Sequence, residues 1–269
     1  MICDAECVEL LMAEVAEAGF DTLMEVENGF EAFTEEDHFN IGLLQEIISR
    51  YNRTSKVDYQ LSEVQKQNWN EEWENHYDPI IVEEKCLIRA HFHQVEGSFP
   101  YVITITPKMS FGTGHHQTTY LMIKAQMAID HLGKNVMDAG CGTAILSVMA
   151  EMLGARKVEA FDIDEWSVTN GNENLEVNNC QHVTLRLGKI SDLTFDDDFE
   201  IILANINKNV LMEDMHQYAA YLKRGGRLLI SGFYERDIPE LLEEAHRYSL
   251  HQKAADTRDN WASLLLEKR

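Results

Sequence analysis

The stretch that most constrains the fold of this chain runs from Asn135 to Ala144, NVMDAGCGTA, where an apolar run ends in an acid and a glycine-containing turn. Val136 and Met137 predict a buried parallel strand, and the apolar spacing after Ala144 predicts a helix. Glycines let the backbone approach a ligand closely, and the first turn of a helix presents N–H groups that attract carboxylate or phosphate. The stretch therefore predicts a strand, a turn and a helix that seat a nucleotide-like ligand.

A second acid, Asp162, follows Gly140 by 22 residues and closes an apolar-rich run. This spacing suits one helix, one turn and one strand, so we expect the Asp162 carboxylate at a strand tip, where it would accept both ribose hydroxyls. A dinucleotide fingerprint needs a glycine three residues after Gly142, and this chain has Ile145 there. The pattern thus disfavours a nicotinamide-dependent oxidoreductase, and the remaining alternative is an ordinary α/β turn without a ligand.

The composition limits the partners and the compartment. With 46 acidic and 23 basic residues the net charge is −23. This charge disfavours binding to nucleic acid and anionic membranes and favours a basic partner. The alternative is that the acidity only keeps the protein in solution. Five cysteines without paired CxxC spacing predict reduced thiols rather than a disulfide framework or a zinc site. No signal peptide or membrane span is recognisable, so we expect a cytoplasmic protein. We also expect the protein to be a monomer and to bind no metal.

The first 90 residues are expected to hold a small domain and a linker. Residues 1–62 have the pattern of helix, hairpin, helix and strand, which is a ferredoxin-like βαββαβ unit whose first strand is missing or confined to the first three residues. No ligand residues are recognisable there, so the unit is either a structural appendage or a substrate-docking module. Residues 63–90 predict a linker helix, with Trp69 and Trp73 on one face, and a connecting strand.

Residues 91–269 alternate strand and helix patterns, which predicts an α/β fold with a doubly wound sheet. Ligands bind such sheets outside the carboxyl ends of the strands, where we expect Asp138, Asp162 and Asn205. Asn205 ends an apolar strand and offers an amide oxygen, although an asparagine here could simply cap the helix that begins near Asn207.

A polar loop, FGTGHHQTT at residues 111–119, precedes an apolar helix. It lacks the Lys-Ser/Thr of a phosphate-binding P-loop, and its adjacent histidines have no partner at metal-ligand spacing. We interpret it as a loop that covers a cofactor.

The residues Asp138-x-Gly140-x-Gly142-x-Ala144 resemble motif I of the class I S-adenosylmethionine methyltransferases, with Ala144 in place of the usual third glycine. Together with the loop at 111–119, the segment at 204–206 and the tryptophan-bearing linker, they resemble the bacterial ribosomal protein L11 methyltransferases over nearly the whole chain. The resemblance implies a seven-stranded methyltransferase domain behind a ferredoxin-like recognition domain. It also implies successive methylation of lysine and N-terminal amines on that ribosomal protein.

The resemblance places the cofactor and the amine on particular residues. It implies S-adenosylmethionine contacts at Thr119, Gly140, Asp162 and Asn205, and the surrounding motifs add the other candidates: Phe111, Gly112, Thr113, Gly114, His116, Asp138 and Gly142. Asn205 is the catalytic candidate, because its amide oxygen would orient a neutral amine. A methyltransferase for another protein, a nucleic acid or a small molecule would share this cofactor site, and so would a scaffold that has lost activity.

Overall fold

Two compact units, residues 1–69 and residues 70–269, make up the chain in this computed structural model. The described residues are 1–3, 7–20, 22–26, 29–34, 38–52, 55–62, 78–106, 116–196 and 198–269. Within these ranges, no helix has both the length and the apolar character needed to cross a membrane.

The first unit has the element order βαββαβ. Its elements are β1 (Ile2–Cys3), α1 (Val8–Glu17), β2 (Thr22–Val26), β3 (Gly29–Phe33), α2 (Ile41–Tyr51) and β4 (Val57–Asp58). The strands pair antiparallel in the order β2-β3-β1-β4, which is the ferredoxin-like arrangement. The first strand is therefore present but only two residues long and lies within the first three residues, which is the second of the two possibilities left open by the sequence.

Apolar side chains on one face of each helix build the core of this unit. Leu11 and Val15 of α1 and Leu44 and Ile47 of α2 are buried in one cluster with Phe30 of β3. Their spacing of three or four residues is what places them on one helical face. Both helices therefore cover the same face of the sheet.

The second unit contains a small sheet and a large one. The small sheet consists of β5 (Ile80–Val82), β6 (Cys86–Ala90) and β7 (Tyr101–Ile105). The strands of the large sheet are β8 (Asn135–Ala139), β9 (Lys157–Asp162), β10 (Val183–Leu187), β11 (Phe199–Asn205), β12 (Leu222–Tyr234), β13 (Leu250–Arg258) and β14 (Trp261–Lys268). The helices are α3 (Gln117–Gln126), α4 (Ile145–Met152), α5 (Glu165–Val177), α6 (Lys208–Tyr221) and α7 (Ile238–Arg247), the last preceded by a 3-10 turn (Glu235–Asp237).

The large sheet has the strand order β10-β9-β8-β11-β12-β14-β13. All neighbouring pairs are parallel except those made by β14, which runs antiparallel to both β12 and β13. The order reverses direction at β8, so the crevice for a ligand lies at the carboxyl end of this strand. The prediction of a doubly wound, seven-stranded sheet is confirmed.

Alternate residues of the central strands enter two separate cores. Val136 and Leu203 belong to the cluster on one face of the sheet, whereas Met137 and Ile202 belong to the cluster on the other. Strands buried on both faces read as continuous apolar runs, as the sequence predicted for β8 and β11.

The strands within residues 80–90 pack into the core of the second unit, through Val82, Cys86 and Ile88. The predicted linker helix, with Trp69 and Trp73, lies outside the described residues. The boundaries at 62 and 90 stay predictions.

Candidate active site

Three parallel strands end side by side at one edge of the large sheet. β8 lies between β9 and β11, and Ala139 is in register with Phe161 on one side and with Ala204 on the other. The polar residues at these three strand ends are Asp138, Asp162 and Asn205. The prediction that they share one edge is confirmed.

The turn after β8 holds three residues in the left-handed backbone region. The φ angles are +66° at Gly140, +52° at Gly142 and +60° at Ala144. A Cβ atom on Gly140 would lie 2.3 Å from Cγ2 of Ile206, so a side chain there would have to displace Ile206. Ala144 begins helix α4 in this conformation, which costs an L-residue about 1–2 kcal/mol. The backbone conformation therefore explains why a glycine would suit position 144.

The Asp162 carboxylate accepts hydrogen bonds from the segments that follow β8 and β9. Its Oδ2 accepts a hydrogen bond from the Gly142 N–H at 2.8 Å, and its Oδ1 accepts one from the Asp164 N–H at 3.0 Å. Each carboxylate oxygen has a second lone pair, so the group can accept further hydrogen bonds from a ligand. The predicted contact with ribose hydroxyls is compatible with this geometry and stays a prediction.

Asp138 is a fully buried carboxyl group beneath the turn. Its Oδ2 accepts a hydrogen bond from the Ser147 hydroxyl at 2.6 Å, and its Oδ1 has no partner among the described residues. Burial raises the pKa of Asp138 to about 7, and the nearby Asp162 charge acts in the same direction. Near neutral pH both protonation states of the group are therefore populated, and its Oδ1 is a buried acceptor without a partner among the described residues.

Asn205 is the last residue of β11 and has a buried amide oxygen. The residue is 9% exposed, and its Oδ1 is buried without a partner among the described residues. The cap of helix α6 is Asn207, whose side chain accepts a hydrogen bond from the Val210 N–H at 3.2 Å. The alternative role for Asn205, helix capping, is therefore filled by another residue.

Helix α3 brings two further candidates toward the same edge. His116 caps the helix and its Nδ1 accepts a hydrogen bond from the Thr118 N–H at 3.3 Å, while its ring meets the Trp261 ring edge-on. Burial lowers the pKa of His116, which favours the neutral ring. Thr119 is fully buried, and its Oγ1 has no partner in the described part of the chain. The other loop candidates, Phe111, Gly112, Thr113 and Gly114, lie outside the described residues.

Two features of the site escaped the sequence reasoning. Ile206 lies between two glycines, because a Cβ atom on Gly232 would come within 2.0 Å of the Ile206 carbonyl oxygen and one on Gly140 would meet the Ile206 side chain. A glycine inside the apolar strand β12 was the available signal. The second feature is a hydrogen bond of 3.0 Å from Asn174 Nδ2 to the Thr143 carbonyl oxygen, and no local sequence pattern predicts it.

A parallel sheet in this strand order, with one antiparallel strand next to its edge and an acid-and-glycine turn after β8, defines the class I S-adenosylmethionine-dependent methyltransferases. The chain is an enzyme of that class, and S-adenosylmethionine is its methyl donor. Within the class, the family model described as ribosomal protein L11 methyltransferase (PrmA) matches residues 5–269. The chain belongs to that family.

Similar proteins are found among curated sequences and solved structures. The ribosomal protein L11 methyltransferase of Phocaeicola vulgatus is 36% identical over 264 residues, covering 97% of this chain and 94% of that protein. The corresponding protein of Porphyromonas gingivalis is 40% identical over 258 residues, covering 95% and 89%. The crystal structure of a ribosomal protein L11 methylase from Lactobacillus delbrueckii subsp. bulgaricus matches with a TM-score of 0.66 at 25% identity, covering 71% of this chain and 99% of that one.

The residues at the sheet edge fit the cofactor. Thr119, Asp138 and Asn205 each present a buried oxygen that lacks a partner among the described residues. Buried polar atoms are nearly always satisfied, so these oxygens suit a ligand that carries an ammonium group and hydroxyls. Within the described ranges, no group of three or more His, Cys, Asp or Glu side chains is arranged to hold a metal ion.

Proposed function

We propose that the chain transfers methyl groups from S-adenosylmethionine to lysine side-chain amines and the N-terminal amine of ribosomal protein L11. The family match and the names of the curated relatives support this substrate. The observation that carries the amine chemistry is the buried Oδ1 of Asn205 at the end of β11, which has no partner among the described residues. This oxygen accepts a hydrogen bond from the incoming amine.

The reaction is an in-line displacement, and the cofactor supplies an electrophilic methyl group bound to a sulfonium. Asn205 holds the amine through one N–H, so that the nitrogen lone pair points along the line of attack. Only the neutral amine has that lone pair, and a lysine amine has a pKa of about 10.4 in water. Exclusion of water around Asn205 disfavours the charged ammonium and so promotes its deprotonation.

The first unit is proposed to recognise the substrate. Residues 1–62 contain 14 acidic and 3 basic residues, so this unit carries much of the net charge of −23 and complements a basic protein. Cross-strand pairing places Met24 beside Glu31 and Thr22 beside Phe33 on the sheet face opposite the buried Phe30. Met24 and Phe33 are 52% and 36% exposed, and exposed apolar groups among acids are typical of a docking surface.

The activity is tested by incubating the chain with radiolabelled S-adenosylmethionine and the complete set of ribosomal proteins, followed by mass spectrometry of the labelled species. We expect label on ribosomal protein L11, at lysine and N-terminal amines. Label on another protein, on RNA or on a small molecule would identify a class I methyltransferase with a different acceptor. Absence of any label, with intact cofactor binding, would indicate a scaffold.

Recognition by the first unit is tested with Phe33→Ser and a matched control, Leu10→Ser, which changes an exposed apolar residue on α1. We expect Phe33→Ser to raise the KM for ribosomal protein L11 by about tenfold, the effect of one buried aromatic anchor, and to leave the cofactor Kd unchanged. The wild-type KM should also rise with salt, because exposed charges are screened. Equal KM values for both variants would leave the first unit as a structural appendage.

The proposal places the reaction in the cytoplasm and treats the chain as a monomer without direct contact to nucleic acid. The net charge of −23 supports the last statement. Light scattering of the purified chain tests whether it is a monomer, and the same measurement with ribosomal RNA tests whether it binds nucleic acid.

A further inference from the structure

Three asparagines of helix α5 bond the open edge of strand β7. They are Asn170, Asn174 and Asn178, spaced four residues apart on one helical face. β7 is the last strand of its small sheet, so its backbone groups on this side have no neighbouring strand. The side-chain amides supply the missing partners.

Asn178 imitates a peptide group of a neighbouring strand. Its Oδ1 accepts a hydrogen bond from the Thr104 N–H at 2.9 Å, and its Nδ2 donates one to the Thr104 carbonyl oxygen at 2.7 Å. Immediately after the end of β7, Asn170 donates to the Thr106 carbonyl oxygen at 3.2 Å. These two asparagines therefore hold the strand itself.

Asn174 differs from the other two because it links the strand to the turn after β8. Its Oδ1 accepts a hydrogen bond from the Thr106 N–H at 2.8 Å, and its Nδ2 donates one to the Thr143 carbonyl oxygen at 3.0 Å. Thr143 lies between the left-handed residues Gly142 and Ala144. The Asn174 side chain is fully buried, and both of its polar atoms are satisfied.

Helix α5 carries a glycine where it passes the turn, and a Cβ atom on this glycine would lie 2.6 Å from Cδ2 of Leu185 in β10. A Cβ atom on Gly171 would lie 3.2 Å from the Gly142 carbonyl oxygen and 3.4 Å from the Ala144 Cβ. Gly171 precedes Asn174 by nearly one helical turn, so the close approach and the hydrogen bond lie on the same side of the helix.

We propose that Asn174 is a positioning residue for cofactor binding, which fixes the turn at 140–144 by tying the Thr143 carbonyl group to the end of β7. Replacement of Asn174 removes one hydrogen bond from the Thr106 N–H and one from the Thr143 C=O, and the second of these bonds is buried. The turn then relaxes away from the geometry that its left-handed residues maintain, and the cofactor loses affinity. The inference rests on the proposed cofactor site in this turn.

The experiment compares Asn174→Ala with Asn178→Ala in the full chain. Asn174→Ala loses two hydrogen bonds to backbone groups and Asn178→Ala loses three, two of them to Thr104 of β7, but only the Asn174 side chain bonds to the turn. Calorimetric titration with S-adenosylmethionine should show a Kd raised about tenfold by Asn174→Ala and less than about twofold by Asn178→Ala. In steady-state assays Asn174→Ala should raise the KM for the cofactor with kcat nearly unchanged.

A second variant separates the two hydrogen bonds of Asn174. Asn174→Asp keeps an acceptor for the Thr106 N–H and removes the donor to Thr143, so it should weaken cofactor binding as Asn174→Ala does, and it carries the test if the alanine variant does not fold. Equal Kd values for the Asn174 and Asn178 variants, or a Kd unchanged by Asn174→Asp, would overturn the proposal. A wild-type chain that does not bind S-adenosylmethionine would instead refute the proposed cofactor site.

Discussion

Replacing Asp138 by asparagine should change how stability depends on pH. The pKa of the folded-state carboxyl is raised by burial from 3.8 to about 7, a difference of about 3 units. At 1.36 kcal/mol for each unit, ionised Asp138 costs the folded chain about 4 kcal/mol. Asparagine keeps an acceptor for the Ser147 hydroxyl and has no such cost.

The sign follows from the proton balance. Between pH 4 and pH 7 the unfolded chain has released this proton while the folded chain still holds it, so raising the pH destabilises the wild type. Below pH 4 both states are protonated, and above pH 7 both are ionised. The free energy of unfolding of Asp138→Asn, relative to wild type, should therefore rise by about 4 kcal/mol across this window and then level off.

Urea unfolding of both chains at several pH values from 4.5 to 8 measures this difference. Asp192→Asn is the control for the loss of one charge, since Asp192 is exposed and also accepts a hydrogen bond from a serine hydroxyl. A difference between Asp138→Asn and wild type that stays constant within about 1 kcal/mol would refute the reasoning, as would an equal rise in the control.

Three further substitutions test the site. Asp162→Ala removes the acceptor of the Gly142 N–H and the predicted ribose contact. Calorimetry should therefore show S-adenosylmethionine binding weakened by about 1.5–3 kcal/mol, and unchanged affinity would exclude Asp162 from the site. Asn205→Ala should lower turnover by a larger factor than it raises the cofactor Kd, whereas equal factors would mean that Asn205 serves only the cofactor. Ala144→Gly relieves about 1–2 kcal/mol of strain in the left-handed conformation. It also loses a buried methyl group worth about 0.8 kcal/mol and increases the entropy of the unfolded chain, so the free energy of unfolding in urea should change by less than about 1 kcal/mol. A larger loss of stability would show that packing of the methyl group dominates.

The sequence predicted those parts of the fold that depend on local patterns. The apolar run at 135–139 and the acid at Asp162 indicated two strands and their tips, since buried parallel strands are short, continuous and apolar. The cap of α5 at Asp164 is also a local feature, because its spacing to the following N–H groups is fixed by the helix itself.

The parts that the sequence did not reveal depend on distant contacts. Strand β1 has only two residues, too few for any alternation, and is defined by its pairing with β3 and β4. The bonds from Asn174 and Asn178 to β7 join residues 68 and 74 positions apart, so no spacing within either segment announces them. Asparagines at intervals of four residues on a helix would equally predict a face exposed to solvent.

The position of Ile206 between Gly140 and Gly232 changes how a mutational scan of this site should be interpreted. Alanine scanning usually removes atoms and attributes the lost activity to the missing contacts. At these two positions it adds a methyl group, which would push the chain segment that carries Asn205. A drop in turnover for Gly232→Ala would therefore report a displaced neighbour, and a scan limited to polar side chains would overlook two positions that pack against the residue next to Asn205.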